Sequence, residues 1–244
     1  MIYGNTTDEF TIFASCDNVY LKDHSKGFVT SCALAKNNVH IHVTNPTEDS
    51  FKYLEYLKTG YSILYPEGSM TTSYDTIDIS TYTVKQRRTF YSCNRFIVLN
   101  QVVNCDILIL DIDCLVMKHI DNLDCEIGLF LREDLVTKEW NGLAGKVFAS
   151  AVYINKDNLD FVDYVRNFIS SNNMIWYLDQ VALYDTYLKL PNKNYMFFDN
   201  KFVDWEFKMG SAIWTGKGDR KFLNAVYTKK HKDFKKQFPI VGNN

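Results

Sequence analysis

Apolar residues follow two rhythms along this chain. Short β-rich runs alternate with longer stretches spaced at three and four residues, an order that predicts an α/β domain on a mostly parallel sheet flanked by helices. Residues 10–14 (Phe-Thr-Ile-Phe-Ala) read as a first strand, 27–35 as a helix, and 39–43 (Val-His-Ile-His-Val) as a second strand stopped by Asn45-Pro46. A helix over 48–58 is expected to end at Gly60, with a third strand at 61–64 broken by Pro66-Glu67-Gly68. Residues 69–83, rich in Ser, Thr, Tyr and Asp without a period, read as a long loop able to act as a lid. Helical spacing over 88–102 then feeds 106–113 (Asp-Ile-Leu-Ile-Leu-Asp-Ile-Asp), a buried strand whose aliphatic run ends in two carboxylates. Strands at 126–131 and 147–155 and helices at 159–170 and 179–188 complete the pattern, with no internal repeat.

Composition narrows the function classes. The 244 residues suit one large domain better than two, and 46% apolar residues support a folded core. A net charge of −2 lacks the basic field that phosphate-backbone binding needs, so nucleic acid is not an expected partner. No apolar run approaches the roughly 20 residues that cross a bilayer, and residues 1–9 lack the basic start and apolar core of a secretory signal. A cytoplasmic location without a transmembrane segment is expected. The six cysteines form no C-x-x-C pair and read as reduced, structural thiols. Residues 229–236 carry five Lys against one Asp, so 229–244 is expected to be a basic, solvated tail behind a single domain of residues 1–228. Peripheral contact with an anionic lipid or acceptor surface is its second reading.

The carboxylates draw the chemistry. In open α/β sheets, ligands bind beyond the carboxyl ends of the strands, where Asp111 and Asp113 would project. On an extended chain they point to opposite sides of Ile112, whereas a sharp turn can aim both at one hard cation such as Mn²⁺ or Mg²⁺. An N-cap and a salt bridge would explain the same tripeptide. His40 and His42 share one face of a strand and are expected to be solvent-facing or hydrogen-bonded rather than ligands, with no role assigned, and His119 is placed on a surface turn. Of the tryptophans, Trp214 is the preferred sugar-stacking platform, ahead of Trp176 and Trp205.

The stretch Thr89-Phe90-Tyr91-Ser92-Cys93-Asn94-Arg95-Phe96, continued by 104–116 (Asn-Cys-Asp-Ile-Leu-Ile-Leu-Asp-Ile-Asp-Cys-Leu-Val), resembles the donor-site core of glycosyltransferase family 8, whose members have a GT-A fold. Three further pieces recur in the family's order: Phe13-Ala14-Ser15-Cys16-Asp17-Asn18-Val19-Tyr20, Ala151-Val152-Tyr153-Ile154-Asn155, and Tyr177-Leu178-Asp179-Gln180. The resemblance covers about residues 10–221. It implies a metal-dependent transferase moving a hexose from a nucleotide-sugar, usually a UDP-sugar, to a glycan, lipid-linked or protein acceptor with retention of configuration. By the same resemblance Asp111 and Asp113 bind Mn²⁺ or Mg²⁺, and Asp111, Ile112 and Arg95 hold the donor. Asp17 lies against the nucleobase in a pocket lined by Ala14, Cys16 and Tyr20. Asp179 and Gln180 flank the reacting sugar as catalytic residues, and Lys217 and Lys221 neutralise the leaving diphosphate.

Two departures stand out. Where the family supplies a third metal ligand from H-x-x-G-x-x-K, this chain has Thr215-Gly216-Lys217-Gly218-Asp219-Arg220-Lys221, with Thr in the His position. The Asn that commonly precedes the strand ending at Asn155 is replaced by Phe148-Ala149-Ser150. Two other readings stay open: a haloacid-dehalogenase-like phosphotransferase, since 107–113 also fits a strand ending in a nucleophilic Asp and an acid-base Asp, and a noncatalytic module that binds nucleotide-sugars.

Overall fold

In the computed structural model, which describes residues 2–216 and 218–240, the chain opens with β1 (Ile2–Tyr3) and β2 (Thr11–Cys16). Next come α1 (Asn18–Leu34), β3 (Val39–Thr44), α2 (Glu48–Leu64), β4 (Met70–Asp75) and α3 (Val84–Val102). The strands β5 (Ile107–Leu110), β6 (Cys114–Val116), β7 (Ile127–Leu131) and β8 (Val147–Ile154) follow, then α4 (Leu159–Ser170) and α5 (Leu178–Lys189). The chain closes through β9 (Tyr195–Phe197), β10 (Val203–Asp204), β11 (Ile213–Thr215), α6 (Arg220–Leu223) and α7 (Ala225–Gln237).

The main sheet has the order β1-β4-β3-β2-β5-β8-β7-β9, and only β1 and β8 run against the rest. A small sheet, β10-β11-β6, sits beside it. Alternation along β5 divides the core in two. Leu108 and Leu110 pack with Leu21, Phe28 and Leu57 of α1 and α2, whereas Ile107 and Ile109 pack with Phe96, Phe161 and Leu183 of α3, α4 and α5. The sheet is therefore covered by helices on both faces, as the near-continuous apolar runs of its parallel strands require.

Two early expectations fail for identifiable reasons. Residues 61–64 are the last turn of α2, not a strand, because Gly60 does not stop that helix. A Cβ at Gly60 would lie 2.0 Å from Phe238 Cζ, so the glycine makes room for a ring from the C-terminus. The third parallel strand is instead β4, inside the expected loop, which shrinks to residues 76–83. Its polar sequence complements the histidines opposite. His40 bonds Thr71 and Ser73 at 2.7 Å each, and His42 bonds Ser73 at 2.8 Å with Asp75 3.4 Å away. Ser73, His42 and Asp75 are buried, so this Ser-His-Asp grouping meets no substrate and holds strands together. His119 is exposed beside Asp121, as expected.

The C-terminal segment is also not a free tail. The helix α7 runs across the expected boundary at 228/229 and buries Tyr227 and Phe234. It docks on α1 at Gly27, where a Cβ would lie 2.4 Å from His231 Cδ2. Residues 241–244 of the expected tail lie outside the described residues. All six cysteines are buried and free.

Burial holds His40 down at about 3 from an ordinary 6.5, and holds His24 and His231 down at about 4. These rings are neutral in the fold and gain protons on unfolding, so their contribution is complete above the unfolded value and is lost as pH falls through that window. The urea midpoint is expected to be lower at about pH 5 than at about pH 7, with a flatter slope in His231→Gln. An unchanged slope in that variant would contradict neutral burial of the ring.

Candidate active site

Asp111 leaves β5 at the carboxyl edge of the sheet and begins a tight reversal into β6. The Cys114 N–H donates to the Asp111 carbonyl at 2.9 Å, and the Asp111 N–H reaches the Ser150 carbonyl of β8 at 3.3 Å. The turn keeps the two carboxylates at one end of the sheet but gives each its own partners. The Asp111 carboxylate accepts from Arg95 Nη1 and from Ser150 Oγ at 2.5 Å, while Asp113 accepts from Lys221 Nζ at 2.7 Å. Ile112, between them, is buried in the core.

Arg95 comes from α3, whose start is fixed by a capping box between Thr83 and Gln86. It is 5% exposed, and its second nitrogen donates to Asp179 at 3.0 Å, so one guanidinium ties β5 to the start of α5. Burial opposes its charge, yet Asp111 and Asp179 together hold it above its ordinary value. Asp179 stays above the usual carboxylate range because burial outweighs Arg95. Tyr177 enters α5 at φ +74°, a left-handed conformation uncommon for a tyrosine, and the second Asp179 oxygen accepts from the Gln180 N–H at 2.9 Å.

Lys221, on α6, also donates to the Tyr20 hydroxyl at 3.0 Å and lies 4.7 Å from the centre of that ring. Burial works against its charge, but Asp113 raises it well above the ordinary value. For Asp113 burial and Asp111 dominate, and its carboxyl is pushed up. The Tyr227 hydroxyl donates to the Asp113 carbonyl at 2.5 Å and so ties α7 to the turn. Tyr20 and Asp17 stand at the head of α1, where the Asp17 side chain accepts from the Tyr20 N–H at 2.8 Å. Ala14 and Cys16 are buried on β2, and burial with Asp17 nearby pushes the Cys16 thiol up, so it is inert.

The structure thus brings Arg95, Asp111, Asp113, Asp179, Gln180 and Lys221 to one edge of the sheet, with Asp17 and Tyr20 beside them. Lys217 lies outside the described residues. Trp214 is 2% exposed and gives its indole N–H to the Lys208 carbonyl at 3.0 Å, so it packs a core with Phe207 and Tyr227 instead of offering a platform. Ser150 and Tyr227 had no role in the sequence reading. A polar residue standing where the family's Asn is replaced was the available signal for Ser150, while Tyr227 gave none.

Several solved structures that share this fold are glycosyltransferases. The galactosyltransferase LgtC, in complex with donor and acceptor sugar analogues, superposes with a TM-score of 0.64 at 13% identity over 95% of this chain and 97% of its own. The bifunctional WbbM gives 0.62 at 10% over 96% of this chain, and GlyE of Streptococcus pneumoniae 0.55 at 9% over 95%. The chain has a GT-A fold. It spans 50% of WbbM and 63% of GlyE. No protein-family model and no curated sequence matches it.

At the acidic turn Asp111 and Asp113 are the residues that could hold a hard divalent ion, which would need water or ligand oxygens to complete its shell. Three carboxylates (Asp111, Asp113, Asp179) face two cations (Arg95, Lys221), and Asp113 is pushed up first by burial and then by Asp111 beside it. Among the described residues no third His, Cys, Asp or Glu joins Asp111 and Asp113, and Thr215 is fully buried opposite Cys114. Two carboxylates with water and phosphate oxygens make up a usual Mg²⁺-type environment.

Arg95→Met leaves two carboxylates without their counter-charge and is expected to cost about 3 kcal/mol in urea denaturation. Adding Asp179→Leu should recover part of that loss. Simple additivity of the two changes would show that the pair is not coupled.

Proposed function

We propose that the protein is a metal-dependent glycosyltransferase that moves a hexose from a UDP-sugar to a hydroxyl-bearing acceptor with retention. The observation that carries this reading is the meeting of Asp111, Asp113, Arg95, Asp179 and Lys221, from four separate elements, at the carboxyl edge of a sheet shared with glycosyltransferases. Asp111 and Asp113 would hold Mn²⁺ or Mg²⁺, which supplies positive charge to the donor diphosphate. Lys221 sits close enough to Asp113 to move from that carboxylate onto the leaving phosphate, and Tyr20 supports it during the exchange. Asp17 and Tyr20 line the base side, and Gln180 faces the sugar.

In this reaction the C1–O bond to diphosphate breaks with its electron pair on the phosphate oxygen. The acceptor oxygen bonds to C1 from the same face, and its proton passes to the departing phosphate. A front-face route is favoured over a covalent one because both Asp179 oxygens are engaged, one by Arg95 and one by the Gln180 N–H. A carboxylate so held orients its neighbours better than it attacks. The exposed face of α7, with Lys229, Lys232 and Lys236 beside Val226, is assigned to contact with an anionic membrane or acceptor surface.

Calorimetry with UDP and Mn²⁺ is expected to show binding that is lost in Asp111→Asn and Asp113→Asn and in EDTA. Transfer that persists in EDTA with both substitutions would overturn the donor-site reading. Binding without turnover of any donor would leave a noncatalytic module. Asp179→Asn should keep measurable turnover, whereas collapse to background would favour a covalent intermediate. NMR of the product anomers tests retention directly.

A further inference from the structure

Arg132 is the first residue after β7, and because β7 runs parallel to β5 it stands at the same edge of the sheet as Asp111. The 132–146 loop is built around it. Its N–H donates to the Lys146 carbonyl at 2.7 Å and its Nη2 to the Gly145 carbonyl at 2.7 Å, and the guanidinium lies 5.7 Å from the centre of the Phe148 ring. Gly145 holds φ +76°, and a Cβ there would come 2.8 Å from Leu135 Cδ2, 3.2 Å from Arg132 Nη2 and 3.9 Å from Gln180 Oε1. Arg132 and Gln180 therefore both border the space that a side chain at Gly145 would fill. The Trp140 indole ties the loop to the approach to α5 by donating to the Trp176 carbonyl at 2.8 Å.

This construction leaves charge and polarity unanswered. Arg132 Nε and Gln180 Oε1 are both covered, and neither has a hydrogen-bond partner. Arg95 in the same cleft binds two carboxylates, whereas Arg132 forms no ion pair among the described residues. Burial pushes its guanidinium below the ordinary value, opposed by Tyr177 and by Asp134, which is exposed. A half-buried, unpaired guanidinium is costly unless a ligand completes it.

We propose that Arg132 binds an anionic group, a carboxylate or phosphate carried by a sugar, while Gln180 Oε1 accepts a hydroxyl of the same sugar. The planar fork of arginine matches either anion through two parallel hydrogen bonds, and a neutral sugar would leave the charge uncompensated. The inference rests on the donor-site reading above and deepens it, since it names the class of sugar that enters the cleft.

The test uses the full chain with Mn²⁺. Calorimetry with UDP alone comes first, and a native protein that does not bind UDP overturns the donor-site reading and this inference with it. In the donor arm UDP-glucuronate is compared with UDP-glucose. In the acceptor arm, with UDP bound, glucose 6-phosphate and methyl glucuronide are compared with methyl glucoside by ligand-observed NMR. A preference of about tenfold or more for the anionic sugar is expected in one arm, which also tells whether donor or acceptor carries the anion. Arg132→Gln should erase that preference and Arg132→Lys should keep part of it, with UDP affinity reporting that each variant is folded. Equal binding of neutral and anionic sugars in both arms, or a preference that survives in Arg132→Gln, overturns the proposal while leaving the donor-site reading in place.

Discussion

One guanidinium organises this molecule. Arg95 is buried between Asp111 at the end of β5 and Asp179 at the start of α5, and no other described contact fixes those two ends against each other so directly. Burying Arg95 and Asp179 with a half-buried Asp111 is expensive, and a hydrophobic replacement of such a group is often as stable. The arrangement therefore makes more sense as positioning than as stabilisation. A planar fork that bridges two carboxylates fixes direction as well as distance, so the acidic turn and the first turn of α5 are held in one orientation before any ligand arrives. Ser150 completes the hold on Asp111 from β8, the antiparallel strand that interrupts the parallel order.

The second constraint comes from the far end of the chain. Helices α1 and α2 each carry a glycine where a side chain would collide with the C-terminal segment, His231 at Gly27 and Phe238 at Gly60. Docking there places Tyr227 on the Asp113 carbonyl, next to the Lys221 that α6 sets on the Asp113 carboxylate. The basic segment thus serves two purposes at once. Its inner face closes the core and the acidic turn, and its outer face carries the lysines that make the sequence look like a tail.

Much of this was legible in the sequence, and the failures share a cause. An aliphatic run ending in Asp-x-Asp announces both a buried strand and its exit to a polar edge, so β5 and the acidic turn were readable without the fold. The strand β4 was not, because Met-Thr-Thr-Ser-Tyr-Asp has no apolar alternation. Its hydroxyls answer the imidazoles of β3, and polarity that is satisfied only by a neighbouring strand cannot be seen from one strand alone. Gly60 looked like a helix stop for the same reason, since the ring that needs its space is far along the chain. The start of α1 was placed late because residues 18–26 are mostly polar, although Asp17 was already there as a cap.

The charge balance of the cleft finally limits the order in which things happen in it. With Lys221 on Asp113 and Arg95 on Asp111 and Asp179, both cations are committed, and the diphosphate of the proposed donor would meet one carboxylate more than there are cations. Arg95 cannot be released, because the buried Asp179 and the half-buried Asp111 would lose their only guanidinium. Under the proposed function Lys221 can, because a metal ion at Asp113 would take its place and Tyr20 already gives the ammonium a second partner. The movable charge under the proposed function is therefore the lysine, and the fixed one is the arginine. On that reading the cleft would bind a donor through the first and keep its shape through the second.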